Sequence, residues 1–331
     1  MAAGILLVAF FLASSIVQTK ASHRHSKTAC GDVCTTLFDN DIEVRVAVDT
    51  NDYSQIGTWC FSKNVKDFSF LFDNLTMFNE DISCWDVSHI TSMKGMFRNA
   101  DAFNQPIGKW NTRTVIDMSY MFNFARSFNQ PIGNWNTKGV TDLSNMFLAA
   151  ESFNQPIGKW NTKSVTDMTA MFAGASSFNQ PIGKWNTKRV TDMTAMFYYA
   201  SAFNQPMCEW NTERVTSMLE MFAGATSFNQ FIGRWNTRNV VYMNSMFDNA
   251  AAFNQPIGKW NTKRVINMSL MFLDASSFNQ NLCDWGKAMK ARNTETYGMF
   301  MRSNCPSTDD PNYANTPVSP LCKATCVAMS I

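Results

Sequence analysis

The chain repeats itself. Phe-Asn-Gln opens a unit at Phe103, Phe128, Phe153, Phe178, Phe203, Phe228, Phe253 and Phe278, an interval of 25 residues, and Phe78-Asn79-Glu80 stands one period earlier. Trp85, Trp110, Trp135, Trp160, Trp185, Trp210, Trp235, Trp260 and Trp285 keep the same interval, and with Trp59 they are all ten tryptophans. A unit of this length cannot bury its apolar face alone, so neighbours must stack and set like side chains over like in one continuous core. A solenoid is therefore expected, and the 331 residues need not divide into two domains as length alone would suggest.

Within the unit from Phe103 to Phe128, apolar residues fall at Phe103, Ile107, Trp110, Val115, Met118, Met121, Phe122 and Ala125. From Val115 onward their spacing of three, three, one and three matches one face of a helix or of short 3₁₀ turns. Gln-Pro-Ile-Gly holds too much Pro and Gly for a long strand and supplies at most a short extended rung. The unit reads as a short strand, a turn at Gly-Lys-Trp-Asn-Thr and a helical return arm. The Ala column (Ala100, Ala125, Ala150 and onward) marks a close approach of neighbouring units. Asn104 and Asn111 are expected to satisfy turn backbone groups within apolar surroundings. Thr112 and its equivalents are expected to cap the helical arm.

The ends differ from the middle. Residues 1–21 have the apolar run and small-residue exit of a signal peptide, 22–58 carry no repeat and read as an N-terminal cap, and 59–284 hold about nine repeats. Residues 285–331 read as a distorted last repeat and C-terminal cap, because Met299-Phe300 comes three residues late. Nine cysteines accompany this plan. Cys30, Cys34, Cys60, Cys84, Cys283, Cys305, Cys322 and Cys326 are disulfide candidates for stapling the caps in an oxidising compartment. Cys60 and Cys84 are expected within bridging range of each other, and Cys208 is the leftover thiol. Asn74-Leu75-Thr76 and Asn267-Met268-Ser269 are glycosylation sequons at Asn74 and Asn267.

The motif Phe-Asn-Gln-x-Ile-x-x-Trp-Asn-Thr-x-x-Val-Thr-Asp-Met-x-x-Met-Phe-x-x-Ala resembles the repeat of the BspA-like leucine-rich-repeat surface proteins, over about Trp59 to Trp285. The resemblance implies an α/β repeat fold, an LRR-like right-handed solenoid with short parallel strands and short helical or 3₁₀ return arms. It also implies a secreted or cell-surface location and a role in adhesion or recognition. It brings no functional residues with it, only structural columns.

For function, the informative residues are those that align on exposed faces. Lys109, Lys159, Lys184, Arg234 and Lys259 precede the tryptophans, and Arg113, Lys138, Lys163, Lys188, Arg238 and Lys263 follow them by three. Glu209 and Glu213 reverse both columns in one unit, and Asn134 interrupts the first. The bland expectation is a solvated face offset by the acidic column Asp117, Asp142, Asp167 and Asp192. The sharper one is a basic stripe for an anionic glycan or an acidic extracellular protein. A net charge of +2 makes no general case for nucleic acid. His23, His25 and His89 are the only histidines and no nucleophile motif occurs, so the chain reads as non-enzymatic, with no cofactor or metal and no transmembrane segment in the mature protein. A matrix protein without a discrete ligand and a Thr-array ice binder are the alternatives.

Overall fold

The computed structural model describes residues 29–31, 33–315 and 317–323. The expected signal peptide and Cys326 lie outside the described residues.

Each unit lies on the next in parallel register. Single-residue bridges join Asp67 to Ser92, Ser92 to Asp117, Asp117 to Asp142 and so on to Asn267 and Glu295. The rung thus falls on the Asp column, whereas Gln-Pro-Ile-Gly, where a strand was expected, carries no bridge among the described residues. Around each bridge, backbone N–H groups alternate in direction. Tyr120, Phe122 and Phe124 donate to Ser144, Met146 and Leu148 of the next unit at 2.9, 2.9 and 2.7 Å. Met121, Asn123 and Ala125 donate back three residues within their own unit, at about 3.1–3.2 Å. Half of the donors close turns and half stitch units together, which leaves no orphaned amide in a buried arm.

This pattern replaces the expected helical return arm. Among the described residues the repeats contain no helix, because two positions per unit, such as Tyr120 (φ 60°) and Phe124 (φ 56°), are left-handed. Left-handed residues cannot propagate a right-handed helix, and each non-glycine one costs ~1–2 kcal/mol, offset here by the ladder. The three-three-one-three spacing comes from successive tight turns that put Met118, Met121, Phe122 and Ala125 inside, all at 0% exposure.

The core is a set of stacked columns. Successive tryptophan rings lie parallel with centroids 6.4 Å apart at Trp160 and Trp185, and Phe147 sits 5.6 Å from Phe172. Indole Nε1 of Trp160 donates to the carbonyl of Ile132 in the preceding unit at 3.1 Å. Asn104 accepts the backbone N–H of Asn129 at 2.9 Å and the Gln130 amide at 3.0 Å, so this column satisfies backbone across units. Asn111 instead is exposed and accepts from the N–H of Arg113, a local Asx turn outside the core. The threonine column is buried at 0–3% exposure. Thr162 Oγ1 donates to the Asn186 carbonyl at 3.1 Å and accepts the Asn186 N–H at 2.8 Å, just as Thr137 receives the Asn161 N–H at 2.8 Å one unit earlier. With no helix to cap and no hydroxyl left at the surface, the column is an inter-unit hydrogen-bond ladder and offers no flat threonine array.

Regular elements cluster at the ends. Strand β1 (Thr36–Phe38) pairs in parallel with β2 (Trp59–Phe61), Thr36 opposite Trp59. Between them helix α1 (Asp41–Asp49) starts where the Asn40 side chain accepts from the N–H groups of Ile42 and Glu43. Its Val44, Ala47 and Val48 join the repeat core. At the other end helix α2 (Gly286–Arg292) stops at left-handed Asn293. The bridge after it joins Asn267 to Glu295, 28 residues apart instead of 25, so α2 absorbs the three extra residues.

The disulfides correct one expected pairing. Cys60 bonds Cys34 (Cα–Cα 5.7 Å) and Cys84 bonds Cys30 (5.2 Å), not each other. Cys60 follows its tryptophan by one position and Cys84 precedes its own by one, so the two occupy different columns and are not stacked on each other. Cys305 bonds Cys322, Cys283 is also disulfide-bonded, and Cys208 is a free, exposed thiol.

Candidate functional site

Buried tryptophans position the basic columns. Trp110 to Trp260 are 3–5% exposed, so the residues just before and three after each indole emerge on either side of it. Lys109, Arg113, Lys138, Lys159, Lys163, Lys184, Lys188, Arg234, Arg238, Lys259 and Lys263 are all exposed. Two of them are paired: Arg238 with Glu213 and Lys259 with Asp284 at 2.8 Å. The other nine enter no ion pair among the described residues.

The acidic column serves the backbone. Asp117, Asp142, Asp167 and Asp192 each accept the N–H two residues on, at 2.8–2.9 Å. They hold the chain at the bridge as it enters the first left-handed turn. Where the column changes identity, Asn267 makes the same bond to the N–H of Ser269 at 2.8 Å. The carboxylates are turn-forming groups that keep their charge, and none of the four enters an ion pair with the basic columns among the described residues.

Glycine explains the close stacking of this face. A Cβ at Gly183 would land well inside contact distance of the Pro206 carbonyl oxygen, as would one at Gly158 against Pro181. The obstacle is backbone, which cannot swing aside. Gly183→Ala is expected to destabilise by ~1–3 kcal/mol, read as a lowered denaturation midpoint. An unchanged midpoint would mean that the units have slack here. Cys208 occupies this glycine column, and in the following unit Phe231 stands where proline is usual.

An open depression of about 440 Å³ lies on this face, lined by Gly158, Lys159, Pro181, Gly183, Lys184, Pro206, Cys208 and Glu209. Its floor is proline and glycine, and its charged groups come from three successive units. Exposed Arg189, Arg214 and Arg264 add to the basic side four residues after tryptophan. Sequence reading missed them because small polar residues fill the same column elsewhere, as with Ser164, whose hydroxyl donates to the Lys138 carbonyl at 3.0 Å.

The sequons differ in setting. Asn74 is exposed, and its Oδ1 accepts from the Asn99 amide at 2.8 Å. Asn267 sits in the ladder with its amide donating to Glu295 at 2.7 Å, followed by fully buried Met268. His89 is half-buried, and burial pushes its imidazole below the usual value. No group of three or more His, Cys, Asp or Glu suited to a metal occurs among the described residues.

A family profile described as "Mycoplasma protein of unknown function, DUF285" matches three times in tandem, over residues 40–151, 130–222 and 205–310. Together these cover most of the chain. The chain belongs to that family. The DUF285 matches overlap and run through the repeats into both ends, as expected of a profile spanning several 25-residue units. Comparison with curated proteins and with solved structures gives no significant match.

Proposed function

We propose that this DUF285 protein is a secreted or cell-surface solenoid that recognises an anionic glycan or acidic protein surface through its lysine and arginine face, without catalysis. The observation that carries this reading is the set of nine exposed cations that enter no ion pair among the described residues and recur with the repeat, two of which, Lys159 and Lys184, line the proline-glycine depression. Regularly spaced like charges repel one another, and a polyanion of similar repeat relieves that repulsion at every unit. The disulfides, and the lack among the described residues of a helix long and apolar enough to cross a membrane, support an extracellular setting. On this reading the helix-bearing, disulfide-linked ends serve as caps, and the repeat is of the BspA-like, LRR-like kind.

A sulfated glycosaminoglycan chain is a suitable probe. Binding should weaken as salt rises through the range where the Debye length falls below ~10 Å. The triple variant Lys159→Glu, Lys184→Glu, Lys188→Glu should weaken it by ~10-fold or more, on the scale of a few exposed ion pairs at ~0.5 kcal/mol each. Binding that ignores salt and the triple reversal would overturn the proposal.

A further inference from the structure

A second surface lies on the ladder face, away from the lysine columns. Large side chains at the two left-handed positions of a unit, such as Phe124 and Tyr199, reach the surface, and some lie over small residues of the next unit. Phe70 rests against Gly95 and Tyr199 against Gly224, whose Cβ, if present, would stand 2.8 Å from the Tyr199 ring. Such rings lie flat on backbone and turn their outer faces to solvent.

Elsewhere on this face those outer faces are occupied by cations. The Arg98 guanidinium stands 5.0 Å from the Phe70 centroid, Arg126 5.5 Å from Phe124, and the Lys94 ammonium 5.9 Å from Tyr120. Tyr198 and Tyr199, edge-on with centroids 4.6 Å apart, are 37% and 51% exposed and have no such cation among the described residues. The sequence accounts for the difference. Arg126 follows Phe124 by two residues, and the position two after Tyr199 is Ser201. Arg98 reaches Phe70, a first left-handed position, from the next unit, and the residue of the Arg98 column one unit after the tyrosines is Ala223, which can supply no cation.

Negative charge gathers at the same place. Glu220 occupies a left-handed position one unit on. Asp248 follows one unit later, its carbonyl accepting the N–H of Gly224 beneath the Tyr199 ring at 2.7 Å. Neither carboxylate enters an ion pair among the described residues, whereas neighbouring Asp274 is held by Arg302 at 2.5 and 2.6 Å. Burial and the charges of Asp274 and Glu220 push the Asp248 carboxyl upward, with Arg302 opposing. Tyr198 likewise is raised by burial, Tyr199, Glu220 and Asp248, so both acids act on Tyr198. On the upstream side, Ala173 and Gly174 put nothing bulky over the rings.

We propose that Tyr198, Tyr199, Glu220 and Asp248 form a receptor for an arginine side chain of a partner polypeptide, filling in trans the place that Arg98 and Arg126 fill in cis over their own rings. A planar guanidinium stacks on an aromatic face and directs its fork of N–H donors at carboxylates, which an ammonium does less well. The site is independent of the basic face, whose charge would repel this partner.

The test uses the full chain and an alternating arginine-glycine peptide, with its citrulline and lysine counterparts and tetramethylammonium as comparison probes. The arginine peptide should bind and perturb the tyrosine ring resonances. Glu220→Gln with Asp248→Asn should weaken it ~10-fold, and Tyr199→Leu, which keeps the packing over Gly224, by ~5-fold. Ser201→Arg should supply the missing cation from within and block the peptide, while thermal unfolding of each variant stays near that of the parent. The lysine peptide should bind more weakly and the citrulline peptide not at all. Equal binding of the citrulline peptide, undiminished binding by the acid-to-amide pair, or tetramethylammonium binding as tightly as the arginine peptide would overturn the assignment.

Discussion

Phe172→Ala is expected to remove ~3–5 kcal/mol of stability, the range for deleting a large aromatic side chain from a packed core. Phe172 is fully buried and stacks at 4.0 Å on Phe178 of the next unit, with Phe147 and Phe197 in its own column at 5.6 and 5.7 Å. The cavity cannot close by local collapse. The backbone on both sides is tied, Phe172 N–H to the Met196 carbonyl at 3.0 Å and Phe147 N–H to the Met171 carbonyl at 2.9 Å. In a stacked array each unit is stabilised largely by its neighbours, so a central void also weakens the coupling between the two halves. Denaturant unfolding followed by tryptophan emission should shift to lower denaturant and broaden. Phe231→Ala is the contrasting case, since that ring is 41% exposed and should cost no more than ~0.5 kcal/mol. Equal losses from the two would mean that column stacking does not carry the stability.

The parts of this architecture that depend on side-chain identity were legible in the sequence, and the parts that depend on backbone direction were not. Phenylalanine, tryptophan and alanine columns announce themselves because each must be the same residue to sit over its twin. The left-handed positions have no such signature. They are filled by Tyr120, Asn145, Ala170, Ala195, Glu220, Ser245 and Leu270 in turn, since inter-unit hydrogen bonds, and not residue preference, hold the conformation. The arm therefore looked helical from its apolar spacing alone. The Asp column carried the opposite lesson: its charge suggested electrostatics, while its work is to accept an N–H two residues on, which Asn267 does equally well. In the basic face, exposure of the lysines followed from the buried indoles beside them. The tyrosine pair was invisible as a site, because its meaning lies in the cation that neighbouring rings have and it lacks.

Removing Cys30–Cys84 and Cys34–Cys60 together is expected to release the N-terminal end while the central repeats stay folded. Each bridge closes a loop long enough, with separations of 54 and 26 residues, for ~3–4 kcal/mol of chain entropy on the loop-closure estimate. The loops are nested, so the combined loss should fall short of the sum. The non-covalent ties of this end are few beside those of a regular unit, and include Asp41 accepting the N–H groups of Lys66 and Asp67 at 2.7 and 3.0 Å and Arg45 donating to the Ser69 carbonyl at 2.6 Å. β1 and β2 pair over three residues, and the Ala29 N–H reaches the Cys84 carbonyl at 2.8 Å. Beyond the strands, helix α1 puts only Val44, Ala47 and Val48 into the core. That is a weak hold beside the ladder of a regular unit, which repeats its phenylalanine, methionine and tryptophan columns in full. Substituting all four cysteines by alanine should therefore make amide exchange fast through residues 36–61 and leave 103–278 protected, because exchange reports opening region by region. The same change should follow reduction of the unmodified chain. Retained protection at 36–61 without the bridges would show that packing on Trp59 and Phe61 and the bonds of Asp41 and Arg45 to the first repeat secure the end. Loss of protection along the entire chain would mean instead that the repeats cannot stand without a covalently closed first rung.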